Sequence, residues 1–338
     1  MHLTLLVPEL IWPEPADQHA LGNLAAPGLE WLLARARGER RNRRPFETAL
    51  TDSFGLSAPP FGALRLLGEG VEEARSGHWL CADPVHLHFH QERIVLADAS
   101  AFDLDDDSAR GLVAALNAEF GDVGRFHAAG ARRWYLRLNV AVDHPAEPIS
   151  AVAGRRVAGE LGGSALPLTR WLNEVQMFLH GHPLNERREA AGQPAINSLW
   201  LWGGGALPAS IAPGFSAVFT DNPLAAGLAR AAGIALHGPA ARLADLPPDA
   251  GKRPLVVLDR LLPSVAHEDS AGWRGGFGEI DDGWFAPLKK SLGSRVDRIS
   301  LLAPTVYGEL RYTLTGGDRW KLWKSGQPLA ATARELTR

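Results

Sequence analysis

The chain has 338 residues, of which 46% are hydrophobic and 22% charged, and its formal net charge is -3. This composition excludes a disordered chain, and the small net charge provides no global field to attract nucleic acid or an anionic membrane. The single cysteine excludes an internal disulfide and fits a reducing compartment. No signal peptide is evident at the start, and no apolar run approaches the roughly 20 residues that span a bilayer. We therefore expect a cytoplasmic protein.

The first part of the chain combines a buried strand with a basic helix end. Residues 3–7 are predicted as a strand that Pro8 ends. Residues 29–36 have the apolar periodicity of a helix, and arginines follow closely at positions 35, 37, 40, 41, 43 and 44. These arginines could contact phosphate. We favour a solvated helix end and loop, because the cluster is short and contains Glu39.

A change of pattern from residue 78 predicts a small inserted subdomain. Residues 79–89 and 94–97 alternate as paired strands. The acidic run 105–107 precedes an amphipathic helix over 109–120, whose free amides it would cap. A strand is predicted over 132–142. We therefore predict an α+β insertion over residues 78–149, within a core formed by residues 1–77 and 150–338.

The rest of the chain alternates helices with short apolar strands. Helices are predicted over residues 168–180, 223–232 and 280–292, and strands over 197–202, 216–220, 254–259 and 299–303. This order predicts an α/β core with a mostly parallel sheet between helices. In such sheets ligands bind at the carboxyl ends of the strands.

A polar stripe on the predicted helix 168–180 is a candidate site. Asn173, Gln176 and His180 have the spacing i, i+3, i+7 and share one face. The stripe could face a ligand, or it could form a hydrogen-bonded seam inside the protein. Both interpretations stay open. His180 and His182 have no acidic or thiol residue beside them that would complete a metal site.

Three glycines, 203–205, end the predicted strand 197–202. They permit a close approach by a ligand or another backbone. The segment is not a phosphate-binding P-loop, since no Gly-Lys-Ser/Thr follows, and it lacks the spacing of a dinucleotide fingerprint. By itself it indicates a tight turn.

Several blocks in order carry a family resemblance. His182, Pro183, Leu184, Asn185, Arg187, Gly192, Pro194, Ala195, Asn197, Gly203 and Gly205 resemble a segment of the archaeal-type, cofactor-independent phosphoglycerate mutases of the alkaline-phosphatase superfamily. Residues 267–273 and 278–288 resemble that family's metal-binding acidic-Ala-Gly-His segment and the helix after it.

A bacterial group called RpfE-type regulatory proteins is more similar still. Residues 83–87, 133–136, 173–177 and 197–205 resemble that group, and the similarity covers most of the chain from about residue 78 onward. The resemblance implies an alkaline-phosphatase-like core with an inserted subdomain.

Departures from the family pattern bear on the activity. The resemblance implies two divalent metals held by Asp and His, and a phosphorylated Ser or Thr nucleophile. Here the first strand is followed by Glu9 rather than Asp-Gly, Trp273 stands where the segment needs histidine, and residues 301–305 lack the Asp-His pair. Thr51 and Ser53 are the candidate nucleophiles, but we interpret them as turn or helix-cap residues.

We therefore predict a degenerate, non-catalytic, regulatory protein without a cofactor. Its partner would be a small anionic ligand or a protein, and neither nucleic acid nor a membrane. The predicted cleft residues are Asp83, His86, Asn173, Gln176, His180, Asn185, Arg187, Asn197, Trp200 and Trp202. Arg187 would bind the anion by bidentate hydrogen bonds, and the tryptophans would form an apolar wall. Equally, these residues could form hydrogen bonds with one another inside the protein, without binding a ligand.

The alternative is an active metal-dependent phosphomutase or phosphatase with altered ligands. Glu9, His267 and Asp269 are its candidate ligands for a divalent ion such as Mn, Mg or Zn.

Overall fold

The computed structural model describes residues 1–90, 93–142, 144, 146–154 and 166–337. Its strands are β1 (His2–Leu6), β2 (Arg37–Arg41), β3 (His78–His90), β4 (Arg93–Asp98), β5 (Gly124–Gly130), β6 (Arg133–Leu138), β7 (Ser198–Gly205), β8 (Ala217–Phe219), β9 (Ala235–His237), β10 (Pro254–Val257), β11 (Arg298–Thr305) and β12 (Gly308–Thr315). Its helices are α1 (Gln18–Leu21), α2 (Pro27–Arg35), α3 (Phe46–Asp52), α4 (Phe61–Gly68), α5 (Asp106–Glu119), α6 (Ile149–Val152), α7 (Leu166–His180), α8 (Pro183–Ala190), α9 (Pro223–Ala232), α10 (Leu261–Ala266), α11 (Ser270–Ile280), α12 (Ala286–Ser291) and α13 (Leu329–Leu336).

The chain divides into two compact units. The first unit consists of Met1–Leu56 and Ile211–Arg338, and the second unit of Ser57–Ser210. In the described parts of the chain, no helix has the length and apolar character needed to cross a membrane.

A seven-stranded sheet organises the first unit, in the order β2-β12-β11-β1-β10-β8-β9. Strands β11, β1, β10, β8 and β9 run parallel to their neighbours in this row, whereas β12 is antiparallel to β11 and β2 is antiparallel to β12. The predicted α/β class, with a mostly parallel sheet between helices, is confirmed. Because the central strands are parallel, their carboxyl ends meet at one edge of the sheet.

One face of this sheet forms the core of the first unit. Leu3 and Leu5 of β1 pack in one buried cluster with Leu29 of α2, Phe277 of α11 and Leu288 of α12. Strand β11 alternates between buried and less buried positions over residues 298–302, so its face opposite this cluster is only partly covered and carries Arg298 and Ser300. Strands β8 and β10, in contrast, are buried on both faces.

A π-helical turn, Asp281–Phe285, joins α11 to α12 where the sequence predicted one helix over 280–292. Asp281 is buried, and its carboxylate accepts hydrogen bonds from the amides of Gly28 (3.0 Å) and Leu29 (2.7 Å). These amides belong to the first turn of α2, which its own preceding residue, Ala26, does not cap. Burial raises the pKa of Asp281, and the two amide hydrogen bonds oppose that rise. The carboxylate thus fixes α2 against the π-helical turn.

The second unit contains a five-stranded sheet in which β4-β3-β6-β5 form one row and β7 pairs with β3. The predicted pairing of β3 and β4 is confirmed, and it is antiparallel, with Leu87 opposite Leu96. The acidic helix start is also confirmed, since Asp105 accepts a hydrogen bond from the Ser108 amide at 2.7 Å.

The second unit extends beyond the predicted insertion, residues 78–149, on both sides. We predicted β7 as part of the parallel core sheet, and this was wrong: β7 is antiparallel to β3, with Leu201 opposite Ala82. Helix α4 also packs on β3, so closely that a Cβ atom on Gly62 would lie 2.7 Å from the carbonyl carbon of Leu80. These contacts place residues on both sides of 78–149 in the second unit.

Strand β2 replaces the loop that we predicted after the first basic helix. All of its residues are exposed, and they pair antiparallel with β12 at the edge of the first sheet. Apolar periodicity does not identify such a strand, because none of its side chains enters the core.

Candidate functional site

The carboxyl ends of the parallel strands in the first unit form the expected place for a site. Asp221 and Asn222 follow β8, and Asp259 follows β10. The side-chain amide of Asn222 donates a hydrogen bond to the Asp259 carboxylate at 2.7 Å. Asp221 and Asp259 line a cavity of about 260 Å³, together with Arg260 and Glu279. Our sequence analysis missed this acidic cavity, although an acidic residue directly after a buried strand was an available signal.

The acidic cavity favours a protonated carboxyl group. Burial raises the pKa of Asp259, and the negative charge of Asp221 raises it further, whereas the hydrogen bond from Asn222 opposes the shift. Arg260 is engaged in an ion pair with Glu279 rather than with Asp259. The cavity can therefore hold a proton on Asp259 more readily than an exposed aspartate would.

The end of β1 is joined to α11 through Trp273. Glu9 has a positive φ of 52°, and its carbonyl oxygen accepts a hydrogen bond of 2.9 Å from the indole nitrogen of Trp273. Trp273 is completely buried, with its ring centroid 5.6 Å from that of Trp12 and 5.1 Å from that of Phe277. At the position where the resemblance implies a metal-binding histidine, the chain thus places an aromatic side chain of the core.

The other predicted metal ligands do not complete a metal centre. Asp269 caps α11 by accepting a hydrogen bond of 2.8 Å from the Gly272 amide, and His267 lies at the carboxyl end of α10. Among the described residues, no three or more His, Cys, Asp or Glu side chains are grouped to hold a metal ion. These donors do not fit the two-metal centre that the resemblance implies.

The candidate nucleophiles bond to their own helix. The Thr51 hydroxyl is buried and donates to the carbonyl oxygen of Glu47 at 3.0 Å. The Ser53 hydroxyl donates to the carbonyl oxygen of Leu50 at 2.6 Å, at the end of α3. Both contacts are those of helix-end residues.

In the second unit, Asp83 and Trp202 belong to a buried polar cluster. Arg65 forms a bidentate ion pair with Asp83, and its side chain and that of Asp83 are only 8% and 3% exposed. The indole of Trp202 donates to the same carboxylate at 2.8 Å, and the Nε of Arg65 donates to the Tyr135 hydroxyl at 3.0 Å. Asp83 is therefore engaged by Arg65 and Trp202, and sequence reasoning had missed both Arg65 and its partner Tyr135.

The side chains of Asn185 and Asn197 form hydrogen bonds with the backbone. Asn185 donates to the carbonyl oxygens of Leu179 (2.7 Å) and Ile196 (2.8 Å) and accepts from the Ile196 amide. Asn197 bonds to both the amide and the carbonyl of Leu87, each at 2.8 Å. The side chains of both residues are thus used within the protein.

The remaining predicted cleft residues separate into bonded and exposed sets. Gln176 donates to the Ser198 hydroxyl at 2.9 Å, His86 Nδ1 lies 2.8 Å from the carbonyl oxygen of Ala195, and Trp200 donates to the carbonyl oxygen of Glu147 at 2.9 Å. The exposed residues are Asn173, His180 and Arg187. The polar stripe of α7 is therefore divided, with Gln176 in a seam and its two ends facing solvent.

The buried arginine of this region is Arg188 rather than Arg187. It donates to the carbonyl oxygens of Pro194 (2.8 Å) and Asp103 (2.7 Å), and burial lowers its pKa. Its spacing of three residues from Asn185 places both on the inward face of α8, which is the signal that would have identified it.

Comparison with known proteins supports a relationship to phosphoglycerate mutases. No family model matches the chain. A probable 2,3-bisphosphoglycerate-independent phosphoglycerate mutase of Geobacter sulfurreducens is 29% identical over 143 residues, which are 41% of this chain and 36% of that protein. The 2,3-bisphosphoglycerate-independent phosphoglycerate mutase 2 of Methanothermobacter thermautotrophicus is 32% identical over 122 residues, 35% of this chain and 30% of that protein. The matched part of the chain thus spans about a third of the length of these relatives.

A solved structure shares the fold along the whole chain. The PH0037 protein from Pyrococcus horikoshii superimposes with a TM-score of 0.54 at 16% identity, covering 99% of this chain and 95% of that one. At this identity the likeness concerns the fold alone. The chain is accordingly similar in sequence to cofactor-independent phosphoglycerate mutases, over the matched part.

Proposed function

We propose that the chain is a non-catalytic relative of these mutases, which acts by binding rather than by phosphoryl transfer. The observation that carries this proposal is the complete burial of Trp273. An indole nitrogen carries a hydrogen and has no lone pair for a metal. In Trp273 this hydrogen is already donated to the carbonyl oxygen of Glu9.

The surrounding contacts support the same conclusion. Metal-dependent phosphoryl transfer depends on cations that neutralise the charge of the transferred group and activate the nucleophile. Asp269 instead caps a helix, and the hydroxyl groups of Thr51 and Ser53 bond to their own helix. Asp269, Thr51 and Ser53 thus each have a structural partner here.

A regulatory role in the cytoplasm is part of this proposal. It is supported by the similarity of several sequence blocks to RpfE-type regulatory proteins, and by the single cysteine. The bound partner would be a small anion or a protein. The net charge of -3 argues against nucleic acid.

The test combines metal analysis with turnover assays on the purified chain. We expect no stoichiometric metal, no change of melting temperature with Mn, Mg or chelator, and no conversion of 3-phosphoglycerate above the blank. The Methanothermobacter mutase serves as the positive control. Stoichiometric metal together with turnover that chelation abolishes would overturn the proposal.

One observation favours the alternative, a metal-dependent phosphomutase or phosphatase with altered ligands. Glu9 is buried at the end of β1 and has a positive φ, a conformation that is costly for a residue with a side chain and occurs preferentially at functional sites. Under this alternative, Glu9→Gln would abolish a metal-induced stabilisation that the wild-type chain shows. Under the main proposal, neither chain responds to the metal.

A further inference from the structure

At its β11, β12 and β2 end, the first sheet carries a group of cationic and hydroxyl side chains on the face opposite Leu3 and Leu5. Residues opposite each other on neighbouring strands point to the same face. Arg37 of β2 lies opposite Thr313 of β12, which in turn lies opposite Ser300 of β11. Two residues along each strand, and so on the same face, Arg298 of β11 lies opposite Thr315. Hydroxyl groups thus lie between two arginines that come from different strands.

These residues line an open cavity of about 670 Å³, which we call the basic pocket. Its described lining includes the cations Arg37, Arg41, Arg298, Arg311 and Lys321, against the anions Glu39 and Asp318. The volume is within the range of about 300–1,000 Å³ that small-molecule sites occupy. The pocket therefore has the size for a small ligand and an excess of positive charge.

Two of the cations remain available to a ligand. Arg41 is paired with Glu39 at 2.7 Å, Lys321 with Asp318 at 2.8 Å, and Arg311 with the buried Glu309. The guanidinium groups of Arg37 and Arg298 make no hydrogen bond or ion pair with the described residues, and both side chains are exposed. Their donors are free to bind an anion in a bidentate manner.

Protection of the sheet edge does not explain this arrangement. Charged side chains on an edge strand prevent pairing with another chain, and this accounts for the arginines of β2. Arg311 lies one strand further in, on β12, and Arg298 two strands further in, on β11. An arginine at these interior positions of the sheet has no role in protecting the edge.

The same end of the sheet has a positive local field. His2 of β1 shares a hydrogen bond of 2.8 Å with the Ser300 hydroxyl. Burial lowers the pKa of His2, and the charges of Arg298 and Arg253 lower it further. An anion bound beside Arg298 would relieve this field.

We propose that the basic pocket binds a small anion that carries two phosphate groups, with Arg37 and Arg298 donating to its oxygens and Ser300 and Thr313 beneath it. The two arginines stand two strands apart, which is roughly 10 Å between their backbones. Long side chains at this separation converge on an anion larger than a single phosphate. The inference rests on the proposed binding role and supplies its location and ligand class.

The phosphate could come from a free molecule or from a lipid headgroup. Trp320, Leu322 and Trp323 follow the pocket residue Asp318, and their exposed fractions are 63%, 75% and 77%. Exposed aromatic and basic residues of this kind occur where proteins contact anionic membranes. The experiment therefore has separate arms for the two sources.

The experiment uses the full chain at low salt. Pyrophosphate and inorganic phosphate are titrated by calorimetry, and vesicles of neutral lipid with or without cardiolipin, whose headgroup carries two phosphate groups, are used in cosedimentation. The test variant is Arg37→Gln/Arg298→Gln. The matched control is Arg125→Gln/Arg132→Gln, which removes two exposed arginines of the second unit and changes the net charge equally. All chains are first compared by near-UV circular dichroism.

We expect wild type and control to bind pyrophosphate alike, more tightly than inorganic phosphate, and the test variant to bind at least tenfold more weakly. Binding of cardiolipin vesicles alone, with the same loss in the test variant, would identify a lipid as the phosphate source. Equal weakening in both double variants, or no binding by the wild type in either arm, would overturn the inference. Failure here leaves the non-catalytic proposal intact, because that proposal is judged by metal content and turnover.

Discussion

The indole nitrogen of Trp273 lies 2.9 Å from the carbonyl oxygen of Glu9, to which it donates a hydrogen bond. This bond connects the loop after the first strand with a helix that follows more than two hundred residues later in the chain. It stabilises the positive φ of Glu9 by fixing the peptide group that follows it. The carboxyl end of β1 is thus held by a core side chain.

Substitution of Trp273 tests how much the fold depends on this contact. We expect Trp273→His to lower the free energy of unfolding by about 3–5 kcal/mol, because it leaves a cavity and a buried polar ring. Trp273→Phe keeps most of the apolar contact and loses the hydrogen bond, so about 1–3 kcal/mol is expected. Urea denaturation measures both, with the exposed Trp323→His as control. A Trp273→His chain as stable as wild type would contradict this account.

The buried ion pair of Arg65 and Asp83 predicts a large effect of removing one charge. Asp83→Asn leaves the Arg65 guanidinium buried without a counter-ion, and we expect a loss of about 3–5 kcal/mol. Replacing both partners by apolar residues, as in Arg65→Met/Asp83→Leu, should cost less than the single change. Arg110→Gln, which breaks the exposed pair with Asp107, is the control and should leave stability unchanged. A double variant less stable than Asp83→Asn would contradict the prediction.

Two glycines in helices should respond to alanine in opposite directions. A Cβ atom on Gly28 would lie 2.4 Å from the amide nitrogen of Ala286, so Gly28→Ala forces α2 away from the π-helical turn and from Asp281. Around Gly111 of α5 there is nothing within 4 Å of the added atom. Gly111→Ala should therefore stabilise the chain by about 0.5–1 kcal/mol. Both variants carry the same chemical change, and thermal melts test whether their melting temperatures shift in opposite directions from that of wild type.

The raised pKa of Asp259 predicts a defined pH dependence. Because its pKa is higher in the folded chain than the ordinary 3.8, folding favours the protonated form. This contribution to stability is present below pH 3.8 and is lost as the pH rises through the folded pKa. Asp259→Asn can still accept the hydrogen bond from Asn222. We expect this variant to be as stable as wild type below pH 3.8, and more stable than wild type at pH values above the folded pKa of Asp259. Denaturation across pH measures the difference, and the exposed Asp249→Asn should show none.

Local patterns predicted the elements whose signals are local. The α5 start was predictable because Asp105 precedes an amphipathic run, and the pairing of β3 with β4 because a strand-like pattern is present on both sides of residues 91–92. The partner of β7 was not predictable, since the sequence of an apolar strand does not indicate which sheet the strand joins. Edge strand β2 was missed because its residues are all polar or glycine.

The predicted site residues show a similar division. Asn185 and Asn197 were predicted as cleft residues within the segment that carries the family resemblance, and the structure gives them backbone partners. Their polarity identified a constrained position, but a hydrogen-bonded seam and a ligand cleft require the same residue types. The basic pocket could not be predicted, because β2, β11 and β12 bring its arginines together only through strand pairing.

The strand order of the first sheet has a consequence for synthesis of the chain. Strand β1 pairs only with β10 and β11, so Thr4 meets Leu255 and Ser300. The second unit, Ser57–Ser210, is continuous and contains both partners of each strand pair in its own sheet. The ribosome therefore completes the second unit before it synthesises β10 and β11. Strand β1 stays unpaired until these two strands, which lie in the last third of the sequence, have been made.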